Sequence, residues 1–211
     1  MIPMAILFSG EGTNLQALID AVHQRRIYAE IRCVISNKPQ AHGLDRAWAA
    51  GIETLVIDDK DRTSREEKTL EALQERGVEL VCLAGYMRIL SEIMVEPYLG
   101  RMLNIHPSLL PAYRGANTHR RVLEAGEKHH GCSVHFVTVD LDEGPLIIQA
   151  SVPVHLDDTE RALALRVLEQ EHLILPLAVQ WYCDGLLRME DGAVHLRGER
   201  LDEPLIYEAG P

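Results

Sequence analysis

The sequence predicts an α/β fold: a mostly parallel, Rossmann-like twisted sheet with helices on both faces and antiparallel additions near the C-terminus. Three observations carry this. The short apolar runs Met4–Phe8 and Leu80–Ala84 have the character of strands buried on both faces, and Ile31–Ile35 reads as a second strand. Segments with helical periodicity separate them, which makes parallel pairing the natural outcome. The later strand-like stretches, Cys132–Val139 and Leu146–Val154, follow one another with no helical pattern between them, so strict alternation ends there.

With 211 residues, 46% of them hydrophobic, the chain is expected to form one domain with a substantial core. A formal charge of −11 argues against nucleic acid or an anionic membrane as partner, although a local basic pocket for one phosphate is allowed. The four cysteines (Cys33, Cys82, Cys132, Cys183) form no C-x-x-C pair, and three lie in apolar runs. They read as small buried thiols in a reducing cytoplasm, and neither a disulfide nor a metal site is expected. No apolar stretch reaches the ~20 residues of a membrane span. Met1-Ile2-Pro3 leads straight into a strand, so no signal peptide is expected.

The first strand ends at Ser9-Gly10-Glu11-Gly12-Thr13-Asn14, and a helix follows with Leu15, Leu18, Ile19 and Val22 on one face. Glycines permit a tight turn and close approach of a ligand, and the free N–H groups of the helix start suit an anion. A dinucleotide is disfavoured. Leu15 replaces the third glycine of G-x-G-x-x-G, and the second strand ends in Ser36-Asn37 where an acid would hold a ribose. A mononucleotide or sugar phosphate fits better, and a plain turn is the simpler alternative.

A helix near Gly43–Ala50 and a strand at Glu53–Ile57 come next, then the charged loop Asp58–Arg62. A helix is predicted over Ser64–Arg76, with Ser64 and Glu67 spaced as a capping box. Arg65 in its first turn reads as surface. After the Leu80–Ala84 strand, Arg88 is a single cation inside the apolar turn Gly85–Leu90. It suggests one wall of a flat, partly apolar pocket, or ordinary packing. A helix then runs to about Tyr98.

The densest chemistry lies in Asn104-Ile105-His106-Pro107-Ser108-Leu109-Leu110-Pro111-Ala112-Tyr113-Arg114-Gly115. In a strand, Asn104 and His106 share a face, and Pro107 keeps His106 extended. An amide to hold an oxyanion beside an imidazole to move a proton is what acyl transfer needs. A helix is expected to begin at Ala116–Arg121 and end near Gly126. Arg114, Arg120 and Arg121 bring positive charge close by, for a ligand's anion or as solvated surface. In Cys132–Val139, Ser133, His135 and Val137 alternate onto one face. If that strand lies beside Asn104 and His106, Ser133 and His135 form a polar layer behind them. Asp142, ahead of Gly144-Pro145, reads alone as a turn residue. After the Leu146–Val154 strand, the longest helix opens at Asp157–Glu160 and runs to about Trp181, with Pro176 expected to kink it. Glu171 sits on its apolar stripe and needs a partner, a ligand or an internal cation. The last thirty residues suggest a hairpin and a loose tail.

Four motifs occur in order: Ser9-Gly10-Glu11-Gly12-Thr13-Asn14, Met87-Arg88-Ile89-Leu90, Asn104-to-Pro111, and Leu141-Asp142-Glu143-Gly144-Pro145. Together they resemble the folate-dependent formyltransferases, in particular their glycinamide ribonucleotide branch, over about residues 4 to 200. The resemblance implies transfer of a formyl group from 10-formyltetrahydrofolate to the amine of glycinamide ribonucleotide, by direct attack, in purine biosynthesis. It implies Asn104, His106 and Asp142 as catalytic, the aspartate lying beside the histidine and organising a proton-shuttling water. Gly12, Thr13 and Asn14 would hold the phosphate and Glu171 the ribose hydroxyls. Arg65, Met87, Arg88, Ile89, Leu90, Asn104, Thr138, Val139, Asp140, Leu141 and Asp142 would contact folate.

On this resemblance the chain divides into a phosphate-binding half (1–100), a catalytic and folate half (101–185) and a C-terminal hairpin and tail (186–211). A monomer or homodimer is expected. The chain departs from common family residues at Thr13 (Ser), Asn117 (His), Glu143 (Gly, expected to point outward) and Leu168 (Gln). The rivals are a formyltetrahydrofolate deformylase, a methionyl-tRNA formyltransferase and a non-catalytic binding module. The first two usually carry a further domain that this length does not accommodate, and the intact Asn104, His106 and Asp142 argue against the third.

Overall fold

The computed structural model describes residues 1–208. In chain order the elements are β1 (Ile2–Phe8), α1 (Thr13–His23), β2 (Ala29–Ser36), α2 (Gly43–Ala49), β3 (Thr54–Val56), α3 (Arg62–Glu75), β4 (Leu80–Leu83), α4 (Glu92–Val95), β5 (Met102–His106), α5 (Thr118–Ala125), β6 (His129–Phe136), β7 (Leu146–Pro153), α6 (Glu160–Cys183), β8 (Leu187–Glu190), β9 (Ala193–Leu196), β10 (Glu199–Arg200) and β11 (Leu205–Tyr207).

The main sheet has the order β3-β2-β1-β4-β5-β6-β7-β11. The first five follow the doubly wound pattern, in which the chain crosses β1 and leaves a crevice beyond the strand ends. β6 alone runs antiparallel to its neighbours. β8, β9 and β10 form a separate antiparallel sheet. The loose tail expected after the hairpin is corrected in part: Leu205–Tyr207 pairs in parallel with Ile148–Ala150 and becomes an edge strand. Residues 209–211 of that tail lie outside the described residues.

Two cores flank the sheet. One packs Leu15, Leu18 and Ile19 of α1, Ala47 of α2, Val122 of α5 and Val167, Ile174 and Leu175 of α6 against Met4, Ile6, Leu103, Ile105, Val134 and Phe136. The other packs Leu73 of α3 and Met94 and Val95 of α4 against Ala5, Leu7, Val81 and Met102. On this second face, among the described residues, no helix core residue packs against β6 or β7. The side chains that alternate away from Leu103, Ile105, Val134 and Phe136 emerge there, and loops cover them.

Local chemistry moves some boundaries. α3 starts at Arg62 because Asp61 caps it, its Oδ1 accepting the Ser64 N–H at 2.8 Å. Asp is as good a cap as Ser and comes three residues earlier, so the Ser64/Glu67 capping box does not form. Arg65, Glu66, Thr69 and Leu73 are the buried stripe of α3. Arg65, read as surface, is therefore only 5% exposed. α6 is capped by Thr159, whose hydroxyl accepts the Ala162 N–H at 3.1 Å, and the helix runs on through Pro176.

Candidate active site

β5 and β6 pair in antiparallel register with Asn104 opposite His135 and His106 opposite Ser133. This is the juxtaposition that the alternation in both segments anticipates, and it puts four polar side chains on the second face, beyond the part that α3 and α4 cover. Asn104 Nδ2 lies 3.0 Å from His135 Nε2, and His135 Nδ1 lies 2.8 Å from the Phe136 carbonyl. A carbonyl only accepts, so Nδ1 carries the proton and Nε2 accepts from the amide. Burial pushes the His135 pKa down, against the smaller opposing effects of the Phe136 carbonyl and Asp142, which keeps the ring a neutral acceptor.

His106 is buried, with Nε2 3.1 Å from the Tyr113 carbonyl and Nδ1 3.4 Å from Asp142 Oδ2. Both nitrogens thus face protein oxygens. Asp142 Oδ2 also accepts the Gly115 N–H at 2.9 Å. Asp142 reaches the site by a route set by the antiparallel strand. The 137–145 connection leaves beside Met102, where the Val137 N–H meets its carbonyl, and returns along the uncovered face. Gly144 is required on that return, because a Cβ there would lie 1.7 Å from the Phe136 carbonyl oxygen.

A second set of polar groups supports the loop after His106. The Ser133 hydroxyl donates to Ser108 O (2.6 Å) and accepts from the Leu110 N–H (3.1 Å) and from Gln149 Nε2 (2.8 Å). Gln149 Nε2 also donates to Leu110 O at 2.8 Å. Gln149 was not anticipated. Its only signal is an amide inside the apolar strand Leu146–Pro153. Further along, the Tyr113 hydroxyl donates to Glu127 at 2.7 Å and its ring lies 5.3 Å from the Arg121 guanidinium carbon. Arg114 pairs with Glu143, which faces outward as expected but bridges the two loops over the site. Arg120 lies within ion-pair distance of Glu124. These arginines are engaged with the protein's own groups.

Beside Asn104 lies a cleft lined by Leu83, Tyr86, Arg88, Ile89, Leu90, His135, Val137, Thr138, Val139, Asp140, Leu141 and Asp142. Ile89, 55% exposed, gives the cleft apolar surface above its polar floor, whereas Met87, 69% exposed, is not among the lining residues. Such a cleft suits a flat heteroaromatic ligand. Arg65 is not part of the lining. It stands behind Tyr86, donating from Nη1 to Asp59 O at 2.9 Å, and its Nε has no partner among the described residues.

On the other side of β1, Gly12 caps α1 with left-handed dihedrals (φ 70°, ψ 30°), and a Cβ there would meet Gly43 Cα at 2.5 Å. The first helical bond is Gln16 N–H to Gly12 O, so the N–H groups of Thr13, Asn14 and Leu15 precede the ladder and suit an anion. Asn14 Nδ2 donates to Glu171 Oε2 at 2.6 Å across the α1–α6 contact. Asn14 Oδ1 has no partner among the described residues. Burial raises the Glu171 pKa, partly offset by Asn14. Thus Gly12, Thr13, Asn14 and Glu171 gather at one point, while Asn104, His106 and Asp142 gather at another with the 87–90 and 138–142 segments beside them.

An oriented amide next to an imidazole, in a chain that also offers a helix start with free N–H groups and a flat cleft, fits movement of an acyl group between two small molecules. Residues 3–179 match the formyl transferase family, and the chain belongs to it. Its similarity narrows further. It is 49% identical to the phosphoribosylglycinamide formyltransferase of Escherichia coli, covering 94% of this chain and 95% of that protein. It is 46% identical to part of the human trifunctional purine biosynthetic protein adenosine-3, covering 90% of this chain and 19% of that protein. The solved structure of phosphoribosylglycinamide formyltransferase from Coxiella burnetii superposes with a TM-score of 0.92 at 44% identity, covering 98% of this chain and 99% of that one.

Proposed function

We propose that this chain is a phosphoribosylglycinamide formyltransferase, moving the formyl group of 10-formyltetrahydrofolate onto the amine of glycinamide ribonucleotide in purine biosynthesis. The observation that carries the reading is the meeting of Asn104, His106 and Asp142 at one end of the Tyr86–Asp142 cleft, in a chain 49% identical to the named E. coli enzyme.

Gly12, Thr13 and Asn14 take the phosphate through the free helix N–H groups, and Glu171 takes the ribose hydroxyls. The donor's ring system lies against Met87, Ile89, Leu90 and the Thr138–Asp142 segment. Arg88 is the cation that the cleft offers the donor's carboxylates, while Arg65 stays behind Tyr86, outside the lining. The acceptor amine attacks the formyl carbon, and the carbonyl π electrons move to oxygen. Asn104 donates its second amide hydrogen to that oxyanion. As the tetrahedral intermediate collapses, the bond to the folate nitrogen breaks and His106 supplies the proton that nitrogen needs, while the former amine loses one to solvent. Asp142 orients the His106 ring. The Tyr113 carbonyl, which holds Nε2 in the free enzyme, gives way to the leaving nitrogen. Each group acts on charge that develops only during the reaction, which is where binding energy accelerates it.

The reading places the enzyme in the cytoplasm as a monomer or homodimer. Among the described residues no helix is long and apolar enough to cross a membrane, and Cys33, Cys82 and Cys132 are buried free thiols suited to a reducing compartment.

The experiment is to follow loss of formyl from a 10-formylfolate donor with and without glycinamide ribonucleotide. The expected result is ribonucleotide-dependent loss with formyl recovered on the acceptor amine. Formate release at the same rate without acceptor would make the protein a hydrolase and overturn the reading.

A further inference from the structure

We infer that Ser9, backed by Asn37, is a positioning residue that holds the donor wall in register with the ribonucleotide loop; this rests on the function proposed above. Ser9 follows β1 and opens the Gly10–Asn14 turn. Its hydroxyl accepts the Met87 N–H at 2.7 Å and donates to Asn37 Oδ1, just beyond β2, at 2.5 Å. Its own N–H donates to Gly85 O at 3.0 Å. Ser9 is 2% exposed and Asn37 3% exposed. One hydroxyl thus ties together the segments that leave β1, β2 and β4, at the point where the chain changes sides of β1.

The tie lands where it affects a ligand. Tyr86, Arg88, Ile89 and Leu90 form one wall of the donor cleft; Tyr86 and Leu90 anchor its ends in the core, while the exposed Met87 and Ile89 between them do not hold it by packing. Among the described residues, the Ser9 hydroxyl makes the single side-chain hydrogen bond to its backbone. The hydroxyl is itself aimed, because donating to Asn37 turns its lone pairs toward Met87. Asn37 Nδ2 has no partner among the described residues, so the amide's bond here is the one it accepts from Ser9. A buried Ser-to-Asn pair serving only the core would leave the donor's affinity indifferent to it.

The test compares the full-length wild type with Ser9→Ala, Ser9→Thr and Asn37→Ala. It reads binding of a hydrolysis-resistant 10-formylfolate analogue by calorimetry, and KM for both substrates against kcat. Ser9→Ala is expected to weaken analogue binding and raise the donor KM about five- to tenfold, the range of one lost hydrogen bond. The ribonucleotide KM should stay within about twofold, and Ser9→Thr, which keeps the hydroxyl, should restore donor binding. Unchanged donor affinity in Ser9→Ala overturns the proposal, and so does an equal loss for both substrates. If Ser9→Ala does not fold, Asn37→Ala decides: it leaves the acceptor but frees the hydroxyl to rotate, and wild-type donor affinity there overturns the proposal. A wild type that binds the analogue but transfers nothing removes the proposed function and leaves the Ser9 assignment to these variants. A wild type that does not bind the analogue removes both.

Discussion

Asn104 and His135 face each other across β5 and β6, and the neutral His135 ring takes one of the two amide hydrogens of Asn104 at 3.0 Å. In the reaction proposed above, the other is the one left for the reacting carbonyl. Asn104→Ala removes that donor and is expected to lower turnover about 10²–10³-fold. His135→Leu leaves the amide in place but unaimed and should cost about tenfold. Donor affinity should hold in both, so single-turnover rates beside separately measured donor binding are the check. Wild-type turnover in His135→Leu would show that something else orients Asn104.

Glu171→Gln should make the protein more stable and less able to hold its acceptor. Burial raises the Glu171 pKa in the folded chain, so stability from this group falls as pH rises through that value. Above that value its charge is a burden that Gln removes, while the Gln oxygen still accepts from Asn14. Relief of roughly 1 kcal/mol would raise the melting midpoint by about 2–4 °C in a chain of this size. The ribonucleotide KM should rise about tenfold for loss of a charged hydrogen bond to the ribose. Melting curves and steady-state kinetics on one preparation test both halves.

His119 Nδ1 and His130 Nε2 lie 3.0 Å apart. Burial lowers both pKa values, that of His130 from 6.5 to about 4, with smaller contributions from His119 and His106. The unfolded chain therefore binds more protons here. Stability is full above the unfolded value near 6.5 and is lost as pH falls from there toward about 4. His130→Gln should shrink the difference in unfolding free energy between about pH 7 and about pH 4.5. Denaturant titrations at the two pH values would expose an unchanged difference.

Adjacent positions 143 and 144 should respond in opposite ways. Glu143→Ala breaks a half-exposed ion pair with Arg114 and should change stability by about 0–1 kcal/mol. Gly144→Ala drives a Cβ into the Phe136 carbonyl and displaces the loop bearing Asp142. It should destabilise by about 2 kcal/mol or more and suppress turnover. Chemical denaturation ranks the two directly.

Periodicity and motif spacing made the sheet legible, as well as the shared face of Asn104 and His106 and the tight turn into α1 at Gly12, because each depends on neighbours within a few residues. What escaped depends on distant partners. Arg65 is polar and early in a helix, and only the packing of α3 on the sheet buries it behind Tyr86. Gln149 supports the loop after His106 across 39 residues of sequence, through a strand pairing that no local pattern specifies. The pairing of Leu205–Tyr207 with β7 depends on where the chain returns after α6. The cap at Asp61 was a contest between two good capping residues, which local sequence alone leaves close.

The bond between Asn14 and Glu171 spans 157 residues, whereas Asn104, His106 and Asp142 all lie within β5 and the hairpin that follows. Closing the longer loop carries the larger entropic penalty and depends on contacts made elsewhere first. During folding, the catalytic groups can meet once β5, β6 and β7 have paired. The Asn14–Glu171 pairing waits for α6 to dock on α1, so, on the function proposed above, competence to bind the ribonucleotide would report that the whole domain has closed.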